Sequence, residues 1–236
     1  MKSLHLKLLA LILVVGLSAC SSDDSDSTTQ PMLSVNFETV TSSFNTQGLT
    51  TSSTRQASTG NFVFNEGFIT LAALEYEAET ENDSTSVEFE LEQVVVIDFA
   101  TGIPTPDIRA ITIPAGTYEE VEIEVELFDE TDEPSVVLNG TYTSPDGTAH
   151  PVRFEFNSGE TFEVEREGTI VFTENQSAIA EITFDPSVWF AGVTDEHMED
   201  ATQINGVIVI SENQNGEIFD IVADGLDLAT ELEITN

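Results

Sequence analysis

Val121-Glu122-Ile123-Glu124-Val125-Glu126-Leu127 alternates apolar and acidic residues without a break. A period of two marks a β-strand, whose successive side chains leave opposite faces. Val121, Ile123, Val125 and Leu127 then share one side and the three glutamates the other. Val87-Glu88-Phe89-Glu90-Leu91-Glu92 repeats the pattern. Each segment predicts a strand with a core face and a wall of carboxylates. If the two are neighbours, like charges oppose one another, which costs stability unless screened or bridged.

The same period runs through most of the chain. Leu33–Phe37, Phe62–Glu77, Val87–Phe99, Ile108–Ile113, Tyr118–Phe128, Val136–Thr143 and Val152–Asn157 are predicted strands. Further strands are expected at Thr161–Glu165, Thr169–Thr173, Ala178–Phe184, Gly206–Ser211, Ile218–Val222 and Leu226–Ile234. Pro114–Thr117 and Ser144–Gly147 carry turn chemistry, and Asn213-Gln214-Asn215-Gly216 ends in Asn-Gly, a strong hairpin signal. Thr41 to Gly60 is a long polar loop with room for one short strand. Outside the leader, helical character is confined to Pro186–Thr202. Short strands joined by turns predict an all-β fold, an antiparallel sandwich of Greek-key or immunoglobulin-like type. The phenylalanines fall mostly on the inward phase (Phe62 and Phe64, Phe154 and Phe156), which makes them core residues.

The N-terminus has a different grammar. Lys2 and Lys7 precede Leu8–Gly16, which is continuously apolar, and Leu17-Ser18-Ala19-Cys20 follows. A positive start, a short apolar run and small residues before a cleavage point describe a secretory signal peptide. The run falls short of the roughly 18 residues that a spanning helix needs. Residues 1–19 are thus predicted as a leader, 20–31 as a Ser/Asp/Thr-rich tether and 32–236 as the folded domain. Cys20 is the sole cysteine of the 236 residues, so once it is acylated no thiol remains for a disulfide, a metal site or a nucleophile. An ordinary signal peptide with a chance cysteine is the alternative.

Removing the leader leaves Arg55, Arg109, Arg153 and Arg166 against all 44 acids, a formal charge of −40. Such a surface repels nucleic acid, because phosphate binding needs lysine and arginine to displace counterions. It also strains the compact state by self-repulsion, which dissolved salt relieves, so the composition suits saline surroundings.

So many carboxylates raise the question of Ca²⁺, which takes six to eight oxygens from irregular loop positions. The candidate ligands are Asp129, Asp132 and Glu133 in one loop, and Asp195, Glu196, Glu199 and Asp200 in another. Neither has EF-hand spacing, and in so acidic a chain such clusters also arise by chance. His150 and His197 are too few for a zinc site, and surface roles are the simpler reading. Trp189, the sole tryptophan, lies between Val188 and Phe190; a buried plug at a sandwich end competes with an exposed stacking platform. No serine-hydrolase elbow, zincin or P-loop motif is present, and no catalytic residue is assigned.

The LSAC motif resembles the lipobox of bacterial lipoproteins, and with Ser21-Ser22-Asp23-Asp24-Ser25-Asp26 it resembles the export signal of Bacteroidota surface lipoproteins. Ile111-Thr112-Ile113-Pro114-Ala115-Gly116-Thr117-Tyr118 is similar to the strand–PAGxY–strand signature of an uncharacterised β-sandwich lipoprotein domain. Phe184-Asp185-Pro186 and the segment around Asn215 extend that likeness. The resemblance implies lipidation of Cys20 and display on the outer face of the outer membrane, with a periplasmic orientation as the other arrangement. It implies no activity and no functional residues. The expected function is a binding or structural module of the cell envelope, whose partner is a glycan, an envelope protein or a divalent cation. The alternative is a hydrolase, or an accessory subunit, of a polysaccharide-utilisation system.

Overall fold

The computed structural model describes residues 29–46, 59–80, 87–159, 161–226 and 230–235. The expected leader, Cys20 and most of the tether lie outside the described residues. The elements in chain order are β1 (Met32–Thr39), β2 (Phe44–Asn45), β3 (Asn61–Glu79), β4 (Val87–Asp98), β5 (Pro104–Thr105), β6 (Ile111–Thr112) and β7 (Gly116–Leu127). There follow β8 (Val136–Thr143), β9 (Ala149–Phe156), β10 (Thr161–Phe172), β11 (Ser177–Phe184), α1 (Pro186–Trp189) and α2 (Asp195–Asp200). The chain then runs through β12 (Gln203–Ile204), β13 (Val207–Ile210), α3 (Gly216–Leu226) and β14 (Thr230–Thr235).

Two sheets enclose the core, as the alternation predicts. The smaller has the order β14-β11-β1-β6, and the larger runs β10-β7-β3-β8-β9-β13-β12, with β4 and β2 also on β3 and β5 on β4. Most pairings are antiparallel, but β1 runs parallel to β11 and β13 parallel to β9, so both sheets are mixed. The inward phases meet as expected: Val121, Ile123, Val125 and Leu127 of β7 are fully buried, as are Phe62, Phe64 and Phe154. Each such side chain withdrawn from water contributes roughly 1.5–3 kcal/mol.

The long strand β3 organises the larger sheet. Its first half pairs with β8 and its second half with both β4 and β7. Thr70 marks the handover, donating its N–H to the Ser135 carbonyl and accepting from the Phe128 N–H. The strand is irregular between Phe64 and Glu66 and again between Leu71 and Ala73. Gly67 serves the first bend: its φ is +144°, and a Cβ there would meet the Val137 carbonyl oxygen at 1.9 Å. β4 and β7 are therefore not neighbours. β3 lies between them.

Three expectations are corrected. Asn213–Gly216 is no hairpin turn, and Ile218–Val222 is not a strand but the middle of α3. The Asn215 side chain accepts from the Thr202 N–H at 2.8 Å and donates to the Val209 carbonyl at 2.6 Å, which pins the helix start to earlier chain. Ile218, Val222 and Leu226, one turn apart, supply its buried stripe. Thr161–Glu165 and Thr169–Thr173 are one strand, β10, interrupted between Glu167 and Ile170, where Gly168 has φ +116°. Pro114–Thr117 joins two strands as expected, and it carries the chain from the smaller sheet (β6) to the larger (β7). Tyr118, almost fully buried, donates its hydroxyl to the Pro114 carbonyl at 2.9 Å and fixes that crossing.

Candidate functional site

The pairing registers turn four acidic strands into one surface. Across β4, β3, β7 and β10, one row reads Glu90, Glu75, Glu124, Glu163. The next reads Glu88, Glu77 and Glu122, and a third pairs Glu79 with Glu120. Adjacent strands lie about 4.8 Å apart, so each row is a ladder of like charge. β4 and β7 do not oppose each other directly; each sets its glutamates against those of β3, and Glu124 of β7 also pairs with Glu163 of β10.

Electrostatics records the crowding. Glu122 is pushed up to about 7, first by burial, then by its hydrogen bond with Glu124 and the charges of Glu163, Glu124 and Glu77. Glu75 is also raised, by burial and then by Glu124, Glu88, Glu90 and Glu77. Near neutral pH, Glu122 therefore keeps its proton for part of the time. Oxygens of Glu122, Glu124 and Glu163 lie within 4.8 Å of one another. Such a trio can share protons or face a cation. With one oxygen from each carboxylate, the trio offers three of the six to eight that Ca²⁺ prefers.

The residues expected to bind Ca²⁺ lie elsewhere, on two separate segments. Asp129, Asp132 and Glu133 occupy the exposed β7–β8 connection. Glu196, Glu199 and Asp200 are exposed on α2, and Asp195 is engaged within the protein. Its Oδ1 accepts from Thr46 Oγ1 at 2.6 Å, from the Gly60 N–H at 3.1 Å and from the Tyr142 hydroxyl at 2.9 Å. Asp195 is thus a clasp joining α2 to the segment ends at residues 46 and 60 and to β8. The Tyr142 hydroxyl is pushed well above its ordinary range, by burial and then by its bond to Asp195.

His197 helps to cap α2: its Nδ1 accepts from the Thr194 N–H, while Thr194 Oγ1 accepts from the His197 N–H. His150 stacks on Tyr142 with ring centroids 6.2 Å apart, and its Nδ1 lies 3.3 Å from Gln203 Nε2. Tyr142, His150 and Gln203 line a cavity of about 470 Å³ beside the β8–β9 hairpin. Trp189 is the buried plug, 1% exposed, packed edge-on to Phe184. Gly225 of α3 backs it so closely that a Cβ would meet the Trp189 carbonyl oxygen at 2.4 Å.

Fold and surface together define an all-β sandwich with one strongly acidic sheet face. No family model matches the chain, and no curated protein matches its sequence. Among solved structures, MbnP from Methylosinus trichosporium aligns at 11% identity over 69% of this chain and 78% of its own, with a TM-score of 0.32.

Proposed function

We propose that this chain is a lipid-anchored protein of the cell envelope, displayed at the cell surface, that acts as a binding module through its glutamate-lined sheet face. The observation that carries the binding reading is the register itself. Three rows of glutamate converge on one face with no basic residue in any row, a surface complementary to a cationic partner. The anchor rests on LSAC and the acidic tether.

The described end of the tether supports this arrangement. Thr29 donates through N–H and hydroxyl to Asn175 Oδ1, and Gln30 Oε1 accepts from the Ala115 N–H. The chain therefore enters the domain beside the start of β7, at the end of the sheet that carries the glutamate rows. On an anionic leaflet, charge of this sign holds the domain off the lipid surface and keeps the face accessible.

Two measurements test the reading. Cell fractionation is expected to find the wild type in membranes and Cys20→Ser released; membrane retention of the variant overturns the anchor. The full-length protein is expected to bind immobilised polylysine in a salt-sensitive way, and Glu75, Glu77, Glu122 and Glu124 changed together to Gln are expected to remove most of that binding. An equal loss on neutralising Asp129, Glu130, Asp132 and Glu133 instead would show that only net charge matters.

A further inference from the structure

We propose that the free edge of β4 is a strand-addition site for an extended peptide that alternates basic and apolar residues. This deepens the reading above and rests on the acidic face being the binding surface.

β4 pairs along its whole length with β3, but on its other side β5 reaches only Val96 and Ile97. Among the described residues, Val87–Val95 therefore turns alternate N–H and C=O groups outward without a strand to receive them. Long edges of this kind are commonly blunted by proline, lysine or a bulge on the edge side. Val87–Val95 contains no proline, glycine or lysine, and its one irregularity lies at the far end, where β4 carries an extra residue between Glu92 and Val95; Val87–Glu92 pairs regularly with β3.

Both faces of the edge specify what could add to it. On the inward phase, Phe89 and Leu91 remain only half-buried, where their counterparts on β7 are fully covered. They line a groove of about 720 Å³ whose far wall includes Pro106, Asp107, Arg109 and Ala110. The wall carries one charge of each sign, so its balance is neutral and apolar side chains can enter. On the outward phase, Glu88, Glu90 and Glu92 are exposed, and Glu88 and Glu90 end two of the glutamate rows. A lysine or arginine opposite either would terminate that row with the opposite charge. A second copy of β4 would instead set glutamate against glutamate, so the occupant is a basic strand. Main-chain hydrogen bonds supply the affinity of such an addition and alternate side chains its specificity.

The test uses the full-length protein in detergent and two synthetic peptides of roughly nine residues, the length of the free edge. One alternates Lys and Val; the other has the same composition with its lysines grouped. The alternating peptide is expected to bind about tenfold more tightly and to protect amides within Val87–Val95 from hydrogen exchange. E88Q/E90Q/E92Q, all surface positions with folding checked by circular dichroism, is expected to weaken it by about tenfold. Equal affinity for both peptides, or binding without protection of β4, overturns strand addition while leaving the acidic-face reading intact. Absence of binding by either peptide overturns both.

Discussion

Glu122→Gln is expected to make the protein more stable at pH 8 and to flatten its stability between about pH 5 and pH 8. In the folded chain Glu122 titrates at about 7, against an ordinary 4.5. Burial is the first cause, and Glu124 and Glu163 add to it. Between those two pH values the native state keeps a proton that the unfolded chain has lost. Stability therefore falls as pH rises through the window; the penalty is absent below the lower value and complete above the upper one. At about 1.4 kcal/mol per pH unit the full linkage would be roughly 3 kcal/mol. Glu122 is half-exposed, and solvent screening at such a site reduces this to about 1 kcal/mol. In a chain of this size that moves the midpoint by roughly 2–4 °C. The assay is thermal unfolding of wild type and variant from pH 5 to 8, in dilute buffer and in 1 M NaCl. Salt is expected to narrow the gap, because the screening length falls from about 10 Å at 0.1 M to about 3 Å. A variant less stable than wild type at pH 8, or a gap that ignores pH, refutes the reasoning. Glu75 and Glu181 are raised too, so a residual slope of the same sign is expected in the variant.

Two tyrosines form an internal control. Tyr118→Phe removes the bond to the Pro114 carbonyl and is expected to cost about 1 kcal/mol in chemical denaturation. Tyr76→Phe removes a buried hydroxyl that has no hydrogen-bond partner among the described residues and is expected to be neutral or stabilising, because none of the described bonds is lost. Asp195→Ala removes the acceptor of the Gly60 N–H and the Tyr142 hydroxyl and leaves Thr46 Oγ1 with the Gly60 carbonyl alone; a loss of about 2 kcal/mol is expected, with faster amide exchange at residues 46 and 60.

Much of this was legible in the sequence because alternation reports a physical boundary. A strand half in water must place Val121, Ile123 and Val125 on one side and glutamates on the other, whatever lies next to it. What lies next to it is a different matter. The glutamate rows arise because β3 inserts between β4 and β7, and pairing is set by contacts far apart in sequence. The parallel partners of β1 and β9 leave no turn signal for the same reason. Helix α3 was hidden by its own composition: Ile218-Phe219-Asp220-Ile221-Val222 is apolar on too many positions to separate a period of two from one of 3.6. The stripe at 218, 222 and 226 was available as a cue, but Asn-Gly just before it suggested a hairpin. For the candidate ligands, abundance was the obstacle. With so many acids, sequence clustering at 129–133 and 195–200 carries little information, whereas strand register brings Glu122 and Glu163 together from distant segments.

The position of β1 sets an order of events during synthesis. This strand emerges first, yet it sits inside the smaller sheet, with Met32 paired to Ser177 and Thr39 to Phe184. Its principal partner is made only after most of the domain has been translated. A chain that emerges N-terminus first therefore holds most of β1 without a strand partner until β11 arrives, with β6 able to pair only Met32 and Leu33 before then, while the β8–β9 hairpin can close as soon as it is complete. Folding of this kind is slow, because a long loop must close before its contacts stabilise anything. Whatever guards the chain against aggregation has to act on its first strand for longest.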